Sequence, residues 1–175
     1  MIAPNCMFYA SANILSSEIN AMFKSNTASL SYTLVSIPSI FTVFSISMAI
    51  DALGVWPLFP CLQLTVMLGT VFCVLGAEFK KTILFLIGRF LYGVAGECTL
   101  TSQSKVIATI IPKDMLSAAY AIAFCGYMLG ESLAGWILPI GKYAVRDSML
   151  LVLGLQTFGL IFSFIYSIHC RNVKR

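Results

Sequence analysis

Five apolar stretches, each long enough to cross a lipid bilayer, dominate this chain. They run roughly over residues 32–50, 56–77, 83–104, 115–139 and 148–169, and a crossing needs about 20 apolar residues at about 1.5 Å of helical rise each. The breaks between them, residues 51–54, 78–82, 105–114 and 141–147, are short and polar. Connections this short make neighbouring segments antiparallel. Inside lipid no water pairs the backbone polar groups, so each segment must satisfy its own, and helices do that. The fold class that follows is all-α: a polytopic transmembrane helical bundle of about five full spans plus a partial first helix.

Composition excludes a water-soluble globule. Only 10% of residues are charged and 59% are hydrophobic, whereas a soluble domain carries about 25% charged residues to solvate its surface. The formal net charge of +4 is modest and scattered. Only Arg171, Lys174 and Arg175 cluster, and a short basic tail after an apolar span is a cytoplasmic topology signal, not a phosphate-neutralising face. The expected partner is therefore the lipid bilayer and not nucleic acid. Counting Lys and Arg does not orient the bundle, because Lys105, Lys113, Arg171, Lys174 and Arg175 on one side face Lys24, Lys80, Lys81, Lys142 and Arg146 on the other.

The organisation read from the chain is a partial first helix and exposed loop over 1–31, a helical bundle over 32–170, and a basic cytoplasmic tail over 171–175. Residues 1–15 are apolar but broken by Pro4, Asn5 and Asn13, and 16–31 are polar. The six cysteines show no C-x-x-C spacing, and most sit in apolar stretches where Cys behaves as a small hydrophobe. His169 has no ligand set around it, so neither a metal nor a cofactor is expected.

Three ionisable residues fall well inside apolar spans: Arg89, Glu97 and Glu131. A charge at mid-span costs about 2.5–3.5 kcal/mol on insertion scales, so each needs a partner or a watery cavity. Arg89 lies sixteen residues before Lys105 and Glu131 sixteen after Met115. In an antiparallel hairpin both then sit about 24 Å from the turn, which predicts an Arg89–Glu131 ion pair. Glu97 is left unpaired at the depth of Ala123 and is the first expected residue for solute or proton handling; Arg89 is the second residue expected in solute binding and translocation. Gly88, Gly93 and Gly96 recur on the third span, and Gly126, Gly130, Ala134 and Gly135 on the fourth. Such spacings permit close helix approach, the common packing device of membrane bundles.

Several of these segments resemble one family. Asp51-Ala-Leu-Gly54 resembles the D-x-x-G core of the loop signature of the major facilitator superfamily. Gly88-Arg-Phe-Leu-Tyr-Gly-Val-Ala-Gly-Glu97 resembles that superfamily's fourth-helix motif, and most closely its lysosomal dipeptide transporter branch. The stretch from Ile111 to Ala121 is similar to the start of helix five, and the stretch from Gly126 to Gly135 to the fifth-helix glycine motif. The resemblance covers roughly residues 29–139. It implies that the five spans are helices two to six of a twelve-helix fold, an N-terminal six-helix half with most of helix one missing. It also implies a cytoplasmic C-terminus, a lysosomal or other endomembrane location, and Glu97 in the central cavity, suited to a peptide amino group. The sequence departs from the pattern at Ala52 and Val55, near where Arg or Lys is common, and at Met128, near a helix-five Arg of the dipeptide branch.

Two functions are expected in competition. The first is transport of a small organic solute, such as a dipeptide, by alternating access, with a second half-transporter chain or a second copy completing the cavity. The second is a non-transporting membrane subunit that stabilises or traffics a partner. An enzyme is not expected, since no Ser/His, H-E-x-x-H or paired-Asp arrangement lies at membrane depth.

Overall fold

The computed structural model describes residues 2–23, 26–138 and 145–173, with side chains over 4–23, 26–138 and 145–168. The basic tail expected over 171–175 lies outside the described side chains. Seven α-helices account for the described chain: α1 (Ile2–Ile14), α2 (Ser16–Met22), α3 (Thr27–Leu53), α4 (Val55–Glu78), α5 (Thr82–Ile110), α6 (Leu116–Ile137) and α7 (Val145–Val173). A 3₁₀ turn, Lys113–Met115, leads into α6. The bundle is all-α, and α3 to α7 are each long and apolar enough to cross a membrane. Large apolar side chains stand outward along them, with Phe44 and Trp136 each 75% exposed. A surface of that kind is solvated by acyl chains, and the chain is an integral, multi-pass membrane protein.

Residues 16–31 are not the exposed loop expected from their polarity. The helical run breaks at Leu15 (φ −96°, ψ 19°), which separates α1 from α2; Leu15 N–H bonds Ser11 O, Ile19 N–H bonds Leu15 O and Phe23 N–H bonds Ile19 O. Ile19 is fully buried, so the polar composition describes only the outer side of α2. The Asn20 side-chain oxygen accepts the Ala28 N–H at 3.0 Å, pairing a donor that the first turn of α3 leaves open.

Helix α4 packs against α5 on one side and α7 on the other, α3 covers α5, and α1 lies along α6 and touches α7. The α4–α5 contact is set by glycine. A Cβ on Gly88 would stand 2.4 Å from Gly69 O, and one on Gly76 would stand 2.5 Å from Phe85 N, so the backbones touch with no side chain between them. Pro60 interrupts α4 by withholding the N–H that would pair Trp56 O. The Ser167 hydroxyl of α7 donates to that carbonyl instead, at 2.9 Å. At its far end α4 closes with Lys80 at φ 51°, Lys80 N–H on Ala77 O and Lys81 N–H on Gly76 O. That is the Schellman arrangement, with a lysine where glycine is usual.

Candidate functional site

Arg89 has partners other than the Glu131 expected from depth. Its side chain is 1% exposed, and it donates from Nη1 to Phe8 O at 2.9 Å and from Nη2 to Ser11 Oγ at 2.9 Å. The guanidinium carbon also stands 4.4 Å from the Phe8 ring centroid and 5.5 Å from that of Phe85, both within cation–π range. Phe8 and Ser11 lie one turn apart on α1, so a planar fork on α5 grips one turn of α1. Three residues on, Tyr92 repeats the reach and donates its hydroxyl to Asn5 O at 2.8 Å. The depth argument failed because it assumed that α5 and α6 stack closely. They touch only lightly, and α1 takes the polar side chains of α5.

Glu131 faces its own helix. It accepts the Tyr127 hydroxyl at 3.1 Å, an i, i+4 pairing legible in the sequence. Glu97 is half-buried, and no side-chain hydrogen bond or ion pair reaches its carboxylate among the described residues. Both carboxylates lie within electrostatic reach of Cys6 and Tyr127, which places them around one region of α1, α5 and α6.

Beside that region α5 and α6 splay apart around a cavity of ≈ 390 Å³. Leu100, Gln103, Ser104 and Ile107 line it from α5, with Tyr120, Ala123, Phe124 and Tyr127 from α6. Glu97 lies one turn from Leu100, and Glu131 one turn from Tyr127. Tyr127 therefore connects the cavity wall to one carboxylate, and α5 connects it to the other. The Tyr120 hydroxyl bridges the outer end by donating to Ser104 O at 3.1 Å. The Gln103 side-chain oxygen is buried and unpaired. The walls are otherwise apolar, so a solute here would find a greasy slot with a few hydrogen-bonding groups, and the two glutamate side chains one turn beyond it. Such a lining is typical of small-molecule sites. Among the described residues no three His, Cys, Asp or Glu side chains gather as a metal site would require.

The remaining expected site residues divide. Asp51 falls in the last turn of α3, not in a loop, and pairs with Lys105 of α5. Gly54, at φ 85°, caps α3 and opens α4 in a conformation that side chains disfavour. Gly93 packs as expected, since a Cβ there would stand 2.5 Å from Val35 O of α3. A Cβ on Gly96 would meet the Tyr92 ring, so this glycine makes room for an aromatic side chain of its own helix. Gly130 is buried. Gly126 and Gly135 meet nothing within 4 Å among the described residues, so their spacing marks no contact there.

Sequence reasoning missed Asn5, Ser11, Tyr92, Gln103 and Tyr127. Only Tyr127 carried a signal, its spacing from Glu131; the others depend on which face of α1 turns inward. No family model, no curated protein and no solved structure matches this chain.

Proposed function

We propose that this chain is a half of a solute transporter of the major facilitator kind, moving a small organic solute such as a dipeptide across an endomembrane, the lysosomal one in the first instance. One observation carries the reading: an unpaired, half-buried Glu97 carboxylate beside a cavity between two membrane-spanning helices. An intramembrane carboxylate without a counter-charge is a functional group by default, because holding it there costs free energy that packing alone does not require. In this reading Glu97 binds a cationic group or a proton, the Phe124 and Tyr127 rings flank the solute, and Arg89 is structural. A second bundle, from a further chain segment, a partner or another copy, supplies the opposite wall.

The test is uptake of labelled neutral dipeptides into acidified vesicles that carry the protein. Glu97→Gln should lower uptake at least about tenfold while the amount of protein in the membrane stays constant. A wild-type protein with no uptake, or a Glu97→Gln protein that transports normally, would reject the proposal.

A second reading, a non-transporting subunit, is favoured by the outer side of α6, where Gly126 and Gly135 meet nothing. It predicts that Gly126→Leu with Gly135→Leu lowers the abundance of a membrane partner, whereas Glu97→Gln leaves it unchanged.

A further inference from the structure

Helices α4 and α7 run antiparallel in a register marked from end to end. Ser167 meets Trp56 O, Phe59 meets Tyr166, Gln63 lies against Gly159, Thr70 bonds Gln156, and Glu78 pairs with Arg146. The middle of this seam is polar at mid-membrane depth. Gln63 and Thr70 are two helical turns apart on α4, and so are Gln156 and Ser163 on α7. All four are 0% exposed. One hydrogen bond joins two of them, Thr70 Oγ1 donating to Gln156 Oε1 at 2.6 Å.

The other polar atoms are without partners. Both amide atoms of Gln63, the Gln156 amide nitrogen and the Ser163 hydroxyl are buried and unpaired. Buried polar groups in hydrocarbon are normally satisfied, and a cluster of them left open calls for a further hydrogen-bonding molecule. Gly159 leaves space at this point, because a Cβ there would come within 3.3 Å of the Gln63 amide nitrogen. The open set contains two amide nitrogens that donate, one carbonyl oxygen that accepts, and a hydroxyl that does both. It holds no charged side chain, so its occupant is neutral. It must also accept and donate within a narrow helix contact.

We propose that this seam is a water site, in which ordered water bridges Gln63, Gln156 and Ser163 between α4 and α7. Water is small, neutral and able to complete two to four hydrogen bonds at once. The site stands apart from the Glu97 cavity, which α5 and α6 form. It makes the α4–α7 contact a hydrated one inside an otherwise greasy bundle.

Water-edited solid-state NMR of the protein in lipid bilayers tests this. The Gln63 side-chain amide should receive magnetisation from water about threefold faster than the Val66 backbone amide one turn away, and Gly159→Ala should cut that transfer by about half. If Gly159→Ala does not fold, Ser163→Ala removes one anchor of the water and should give the same reduction. Transfer to Gln63 no faster than to Val66 would overturn the proposal, since the seam would then be dry. So would fast transfer that neither substitution alters.

Discussion

Helices α5 and α6 are neighbours in sequence and opposites in packing. Helix α5 is buried over half its apolar window and presses its backbone against α4 and α3 at Gly88 and Gly93. Helix α6 is 6% buried over the corresponding window and touches the bundle along a narrow line through Gly130 and Ala134. In water the hydrophobic effect would force both to bury equally. In lipid it does not, because acyl chains solvate an apolar helix as well as another helix does. Close packing there depends on small residues and hydrogen bonds, and α5 has both. The cavity opens where that grip gives out.

The sharpest way to break this comparison is to place the same bulk on both helices. Gly88→Leu drives a side chain into the α4 backbone and should cost about 3 kcal/mol or more, enough to leave little native bundle. Gly126→Leu enters open space and should leave the thermal midpoint in detergent unchanged. Equal losses at the two sites would mean that α6 is covered as α5 is. Arg89 comes next. Arg89→Ala removes two charge-assisted hydrogen bonds and a packed stem, and should cost about 2 kcal/mol. For a chain of this size that lowers the midpoint by about 4–8 °C. Arg89→Lys should not restore it, since an ammonium lacks the fork that reaches Phe8 O and Ser11 together. Glu131→Gln should stay within about 0.5 kcal/mol of wild type, because its partner is a tyrosine on its own helix. A matching loss at Arg89 and Glu131 would reinstate the ion pair between them. The smallest effect lies at the α4–α5 turn. Lys80 holds a left-handed backbone that glycine adopts without strain, so Lys80→Gly should stabilise the tight pair by about 0.5 kcal/mol, read as a small rise in midpoint.

The sequence pattern was readable where one solvent rule decided the outcome. Five long apolar runs separated by short polar breaks become five long helices. It was unreadable where an outcome depended on which helix faces meet. Arg89 and Glu131 have matched depths, yet depth says nothing of azimuth, and α1 took the arginine. The polarity of residues 16–31 suggested a loop, because the buried side of α2 amounts to little more than Ile19. Gln63 and Gln156 drew no attention, being neutral and respectively 96 and 86 positions from the residues they oppose. Their significance exists only in the α4–α7 register. Gly126 and Gly135 carried the same spacing as Gly88 and Gly93, and spacing alone does not say whether a neighbour is there.

Arg89 holds α1 by a main-chain carbonyl and a hydroxyl, and this has a consequence for how the protein is made. A ribosome delivers α1 to the membrane well before α5. When the arginine arrives, with an insertion cost of about 2.5–3.5 kcal/mol, its acceptors are already waiting in the bilayer. A carboxylate partner on α6 would have been synthesised afterwards, leaving the cation alone in lipid for the time needed to translate some forty codons. The order of residues along the chain thus lets an early helix serve as the receptor for a later charge.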